Sequence, residues 1–402
     1  MYNLCLFFLQ AGMALESRSW DNIPEHVLAK VLSHLSFQEK YYSSLTCKHW
    51  YNVFQSPQLW HCFQFWFYMP QHHRFLNCVD KFGKYFRKVF IGLNQAIKEN
   101  RINACTLLEK LAKVDPRRLC SITIEFTGEN PLFYAGQEFV QCLKVLFGPV
   151  SITLTPPSQI LHVDVSGLSA ALDDDVFDIL SENNPDLRFL NIQNKNLVCK
   201  VSPACILRLV RRCRKLTDIH VLHCSMSDEI LACLAEEDSK DIKHLSILCR
   251  REDKYGKDLS AEAWEQLVYK KPSLRVTLAF DHNCPLNLVS VIMKPEIPVR
   301  TLKLETFTKI YDEVNLATSY YKRTLEKIVL QTRNSAELEE ALVHMARKCT
   351  RIKCMMVYCI LKKEVVDHIL TLLPEMRETG SYILKWEIDI EPWVVVGIES
   401  GD

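Results

Sequence analysis

Short segments with one alternating apolar pattern recur along most of this chain. They are VFIGL at 89, SITIEF at 121, LHVDVS at 161, LRFLNIQN at 187, LTDIHVLH at 216, IKHLSIL at 242, LRVTLAF at 274, VRTLKLE at 299, LEKIVLQ at 325, IKCMMVY at 352 and YILKWEID at 382. Aligned on Val89, Ile122, Val163, Leu190, Ile219, Leu245, Val276, Leu302, Ile328, Met355 and Leu384, the intervals are 33, 41, 27, 29, 26, 31, 26, 26, 27 and 29 residues. A period of two places alternate side chains on opposite faces, so each segment reads as a strand with one buried and one wet face. The runs DDDVFDILSENN, SPACILRLVRRC, SDEILACLAEED, SAEAWEQLVYKK, SAELEEALVHMARKC and KKEVVDHILTLL lie between them, with apolar steps of three and four. Several open on Ser or Asp, the residues that cap helix N-termini.

A Leu-x-x-Leu-x-Leu strand plus a helix every 26 to 31 residues resembles the leucine-rich repeat, and the Cys ending some helices resembles its cysteine-containing subtype. The resemblance implies an α/β solenoid with a concave parallel sheet and outer helices, because single units cannot bury their apolar faces alone. A doubly wound α/β domain also alternates strand and helix, but its strands are buried on both faces and read as continuous apolar runs. Here His220 and Leu222 flank Val221, and Thr301, Lys303 and Glu305 interleave Leu302 and Leu304. That alternation favours the solenoid.

The N-terminal stretch NIPEHVLAKVLSHLS has another period. Pro24, Val27, Leu28, Val31, Leu32 and Leu35 form the apolar stripe of a short helix. Ser36 with Glu39 is a capping-box pattern that starts a second helix. A third helical piece runs to the turn SPQLW. A unit this small buries only a modest fraction of its surface alone, so a stripe this wide suggests a partner; filling the unit's own core is an equally open reading.

Ile23-Pro24-Glu25-His26-Val27-Leu28, then Leu35, then Leu45-Thr46-Cys47-Lys48-His49-Trp50, then Leu59-Trp60 resembles the F-box. Ile23, Thr46 and Glu39-Lys40 depart mildly from the family pattern of Leu, Val and Asp-Leu. With the repeats, the chain resembles the F-box/leucine-rich-repeat family, and GENPLFYAGQEF, LSAEAWEQLVYKKPSL and MKPEIPVRTLKL resemble one subgroup of it. The resemblance implies a leader at 1–19, an F-box at 20–66, a linker and irregular first repeat at 67–118, a repeat solenoid at 119–390 and a tail at 391–402. It implies a non-catalytic substrate-recognition subunit of an SCF ubiquitin ligase. A Skp-type adaptor, and through it cullin and RING subunits, would bind a surface made or braced by Ile23, Pro24, Val27, Leu28, Val31, Leu32, Leu35, Trp50, Leu59 and Trp60. A protein substrate would meet the wet strand residues Phe189, Asn191, Gln193, Asp218, His220, His244, Thr301, Lys303 and Glu305. The alternative is a leucine-rich scaffold whose N-terminal helices only cap the repeats.

Composition supports this frame. Lys and Arg number 49 against 48 Asp and Glu, a balance that argues against general nucleic-acid binding. Gly numbers only 11 in 402 residues, leaving little for phosphate-cradling loops, and no cofactor is expected. The 17 cysteines contain no C-x-x-C pair, so neither a zinc cluster of that type nor a disulfide framework is expected. The leader MYNLCLFFLQAGM lacks a basic start and is too short to span a bilayer; with no long apolar run elsewhere, a cytoplasmic or nuclear protein without a membrane anchor is expected.

No G-x-S-x-G, P-loop or H-E-x-x-H motif is present. In HVLHC, His220 and His223 stand three apart on a strand and face opposite ways, so they cannot share a metal. His72, His73, Cys62 and Cys78 lack ligand spacing, and no metal site is expected. Asp173-Asp174-Asp175 suits a helix N-terminus, and the basic run LRLVRRCRK a helix C-terminus. Solvated surface is the simplest reading of that run, with a substrate-contacting patch as the other. Trp386 and Trp393 would cap the last repeat.

Overall fold

The computed structural model describes residues 23–128, 136–149, 159–194, 199–250, 258–282, 284–306 and 308–386. The leader, Trp393 and the tail lie outside the described residues.

The chain opens with three short helices, α1 (Glu25–Ser33), α2 (Phe37–Ser44) and α3 (Lys48–Phe54), and a 3-10 turn at Pro57–Trp60. Pro24 sits at the N-cap of α1, and Glu25 occupies the first turn, where its charge suits the helix dipole. The Ser36–Glu39 capping box is formed: the Glu39 carboxylate accepts from the Ser36 N–H at 2.8 Å, and the Ser36 hydroxyl accepts from the Glu39 N–H at 3.3 Å. These bonds hold the Glu39 carboxyl below its usual pKa range.

A parallel sheet follows, its strands adjacent in chain order from β1 to β12. They are β1 (Cys62–Phe67), β2 (Lys88–Leu93), β3 (Ser121–Phe126), β4 (His162–Gly167), β5 (Phe189–Asn191), β6 (Asp218–Leu222), β7 (His244–Cys249), β8 (Arg275–Phe280), β9 (Val299–Leu304), β10 (Lys327–Leu330), β11 (Cys354–Leu361) and β12 (Tyr382–Trp386). The strictly sequential parallel order is that of a repeat solenoid. Val89, Ile122, Val163, Leu190, Ile219, Leu245 and Val276 stand side by side in register, and all are buried.

The register departs from the sequence alignment in two places. Val276 pairs with Val299 and, across a bulge, Leu278 with Leu302; Leu384 pairs with Val357 rather than Met355. The sheet also starts earlier than the periodicity indicated. β1 lies at the end of the span read as F-box, with Phe63 beside Val89 of β2, the first strand that the periodicity indicated. The segment CFQFWF alternates like the other strands, but the Leu-Trp tail of the preceding motif masked it.

The helices packed between strands include α4 (Asn77–Phe82), α5 (Lys98–Lys113), α6 (Gln137–Phe147), α7 (Asp174–Asn183), α8 (Pro203–Arg212), α9 (Asp228–Ala235) and α10 (Ala261–Lys270). They continue with α11 (Leu286–Ile292), α12 (Tyr311–Tyr321), α13 (Ala336–Lys348), α14 (Lys363–Leu372) and α15 (Pro374–Thr379). Asp173, Ser202, Ser260 and Ser335 cap α7, α8, α10 and α13 by accepting from the backbone three residues on. First-turn or nearby carboxylates then tie each helix to the next repeat. Asp174 accepts from the Ser202 N–H at 2.7 Å, Asp228 from Ser260 at 2.9 Å and Glu339 from Lys362 at 2.9 Å. The acidic residues therefore do more than complement a dipole.

Helices α7, α8, α10, α13 and α14 end on the buried residues Asn184, Cys213, Lys271, Cys349 and Leu373, whose backbone conformations are alike. Asn184 adds side-chain bonds. Its Oδ1 accepts from the Ile160 N–H at 2.8 Å, and its Nδ2 donates to the carbonyls of Leu180 at 3.0 Å and Phe147 at 3.3 Å. Replacing Asn184 with Ala leaves buried backbone groups without partners, each costing about 1–3 kcal/mol. A denaturant titration of Asn184→Ala is therefore expected to show a clear fall in midpoint.

Candidate functional site

The α1 stripe divides into two lines. Leu28 and Leu32, four residues apart, are fully buried in the chain's own core, whereas Val27 and Val31 on the adjacent line are 43% and 40% exposed. Pro24 is exposed, and Ile23, Leu35 and Trp50 are half-buried against the core. Leu59 and Trp60 are buried. Leu28, Leu32, Leu59 and Trp60, read as adaptor contacts or braces for them, are thus interior residues, which leaves them the bracing part.

The cover comes from the junction with the sheet. The Trp60 ring lies parallel to Phe82 of α4 with centroids 3.9 Å apart, stacks on Phe63 of β1 at 5.6 Å and meets Phe54 edge-on at 5.0 Å. Its indole N–H donates to the Phe54 carbonyl at 2.7 Å. Phe37 packs edge-on against both Trp60 and Phe63. On the α3 side, a His49 ring nitrogen lies 2.7 Å from the Ile23 carbonyl oxygen and ties the head's entry to α3.

The outward side of this head is unusually apolar. Val27, Val31, Tyr41, Tyr42, Leu45 and Tyr51 are six of the fifteen exposed large hydrophobic side chains among the described residues, and they fall within one short span. Leu45 belongs to the motif quoted above but was not assigned to the adaptor surface, and Tyr41, Tyr42 and Tyr51 were not singled out from the sequence; only their exposure, a structural property, marks them.

The second surface is the sheet face that carries the alternate strand residues. Phe189, Asn191, Gln193, Asp218, His220, His244, Thr301, Lys303 and Glu305 are all half-buried there. Neighbouring strands bring three of them together with His162, which sequence reasoning did not select. His162 stacks flat on Phe189 at 4.0 Å, Phe189 meets His220 at 5.1 Å, and His220 meets His244 edge-on at 5.0 Å. A His244 ring nitrogen lies 2.9 Å from the Thr277 hydroxyl.

Gln193 does not present a free amide, because its Nε2 donates to the carbonyls of Val221 and Ser246, both at 3.0 Å. Asn191 is partly engaged, its Oδ1 accepting from the Gln193 N–H at 3.2 Å. Thr301, Lys303 and Glu305 lie on β9 and just beyond it, three strands from β6.

Apart from the exposed Arg211, the basic run is spent on neighbouring carboxylates. Arg208 forks onto Asp178 at 2.9 and 2.6 Å, Arg212 reaches Asp178 and Glu182, Arg214 reaches Glu236, and Lys215 reaches Asp186. It straps α8 to its neighbours and is not a free patch. Among the described residues no group of His, Cys, Asp and Glu is arranged to hold a metal, and no helix is long and apolar enough to cross a membrane.

Burial lowers the pKa of all three imidazoles, that of His220 to about 4, with His244 adding to the shift. Asp164 and Asp218 oppose the shift at His220, and Lys303 reinforces it. Because the folded-state value lies below the ordinary 6.5, acid protonates the unfolded chain first. The stability associated with neutral His220 is complete above the ordinary value and is lost as pH falls toward about 4. Melting temperature is expected to fall on acidification through that window, and less steeply in His220→Phe. Identical slopes for the two proteins would contradict the assignment.

Comparison with known proteins agrees with this division. Residues 20–65 match the F-box-like domain. Human F-box/LRR-repeat protein 8 is 28% identical over 381 residues, covering 93% of this chain and 97% of the relative. Its mouse counterpart is also 28% identical over the same shares. F-box/LRR-repeat protein 21 of Bos taurus is 25% identical over 286 residues, 67% of this chain and 62% of that protein. The chain therefore carries an F-box-like domain followed by a repeat sheet and is similar along most of its length to F-box/LRR-repeat proteins.

Proposed function

We propose that this chain is a substrate-recognition subunit of an SCF-type ubiquitin ligase, its helical head binding a Skp-type adaptor and its sheet face a target protein. The observation that carries this reading is the divided stripe of α1. Leu28 and Leu32 fix the helix to the chain, and Val27, Val31 and the exposed side chains of α2 and α3 remain in water. A head that served only as a repeat cap would need the first line and not the second. The inner side does close the first end of the sheet, through Trp60 and Phe63, so capping and docking would be shared by different side chains of one small unit.

In this role the chain needs no catalytic group. The adaptor connects it to cullin and RING subunits, and acceleration arises from holding the target near the charged conjugating enzyme. The apolar anchors on the head would supply most of the adaptor affinity, since a few buried side chains dominate interfaces of this kind.

The test is co-purification with a Skp-type adaptor. Replacing both Val27 and Val31 with Asp is expected to weaken capture by at least about thirtyfold, the size of a hot-spot loss, with an unchanged melting temperature. Leu28→Ala is expected to cost about 2–5 kcal/mol of stability through a core cavity. Undiminished capture of the double Asp variant would overturn the proposal.

A further inference from the structure

The strand N-termini form a rim along the sheet, and the charge there is biased. The two positions that begin the strands carry Arg87, Lys88, Arg188, Lys243, Arg275 and Lys327, besides Lys353, which is paired with Glu375, although the whole chain bears a net charge of only +1. Among the described residues none of the first six side chains makes an ion pair or hydrogen bond. Of the rim's two carboxylates, Glu326 is paired with Arg300, and Asp218 accepts from the Thr217 hydroxyl at 2.6 Å and keeps its charge, which leaves the cations in excess. The rim's positive charge is therefore available to a partner.

The rim also has shape. Lys243, His244, Ser273, Arg275, Thr277 and Arg300 line an open concavity of about 650 Å³, which Asp218, Thr301 and Glu326 complete. It adjoins the ring ladder through His244. Lys243 and Arg275 stand on adjacent strands, with the Arg275 N–H donating to the Lys243 carbonyl at 2.9 Å. Eight strand spacings of about 4.8 Å separate β2 from β10, so the rim offers cations over roughly 38 Å, the length of about a dozen extended residues.

We infer that this rim is a docking ledge for an extended acidic segment of the target protein, lying across the strand N-termini with its anionic side chains on Lys243 and Arg275. The inference rests on the reading of the sheet face as the target-binding surface and adds the chemical class of what it binds. A peptide is favoured over a nucleic acid because the six cations are spread in line along one rim while the helical face is laced with paired charges.

The experiment uses the full chain co-purified with a Skp-type adaptor and fluorescently labelled probes of matched length. They are an acidic Asp/Glu peptide, its Asn/Gln counterpart, a phosphoserine form and a polyuridine RNA. The acidic peptide is expected to bind at least about tenfold more tightly than the amide form and to weaken with salt. Charge reversal by K243E with R275E is expected to remove about tenfold of that affinity, and K309E, in the exposed loop after β9, is expected to leave it intact. Either ranking of the phosphorylated against the carboxylate form upholds the ledge and identifies its preferred anion. Equal binding of the amide peptide, indifference to K243E with R275E in a chain whose melting temperature is unchanged, or tighter binding of polyuridine than of both acidic peptides overturns the inference. Adaptor capture is read on the same samples. Peptide binding lost with capture intact counts against the ledge alone, and capture lost with peptide binding intact counts against the ligase reading alone.

Discussion

The packing of Trp60 governs how the rest of this molecule can work. Its ring lies flat on Phe82 and stacks on Phe63, while its N–H is bound to the Phe54 carbonyl. One side chain thus joins the last helix of the head, the first strand of the sheet and the first helix behind it. Large-to-small changes at such a position cost about 3–5 kcal/mol, a substantial part of a domain's stability. The join also decides orientation: a head packed this way turns one line of α1 into the core and leaves the other outside. Whatever the head binds is thereby placed in a fixed relation to the first strand.

Much of this could be read from residues alone, and the limits have physical causes. Strand positions followed from the period of two, and helix starts from Ser36, Asp173, Ser202, Ser260 and Ser335, because alternation and capping are local properties. The division of the α1 stripe was not local. Val27 and Leu28 are equally apolar and lie about 100° apart around the helix, and only the neighbour settles which is covered. The neighbours are α3 and the Pro57–Trp60 turn, which leads directly into β1, whose alternating CFQFWF was hidden by the tail of the preceding motif. The β8–β9 bulge was invisible for a similar reason: Val299, Leu302 and Leu304 are all suitable inward residues, and pairing selects among them.

The sheet face shows a further limit of pattern reasoning. Alternation selected the correct side for Phe189, Asn191, Gln193, Asp218, His220 and His244, but it could not tell a free polar group from an engaged one. Gln193 is long enough to reach two neighbouring strands and spends its amide on their carbonyls. His220 is held neutral by its surroundings, so the centre of the face offers ring surfaces more than charge. Charge lies at the rim, where side chains leave the ladder and meet water.

The central claim is that one side of the head is sealed by the chain itself and the other is reserved for a second protein. Hydrogen–deuterium exchange of the full chain, with and without a Skp-type adaptor, addresses it directly. The account predicts that adaptor binding slows exchange over Glu25–Ser33 and Phe37–Ser44 and leaves the sheet from β3 onward unchanged. Slowed exchange spread across those strands, or none at all in the head, would contradict it.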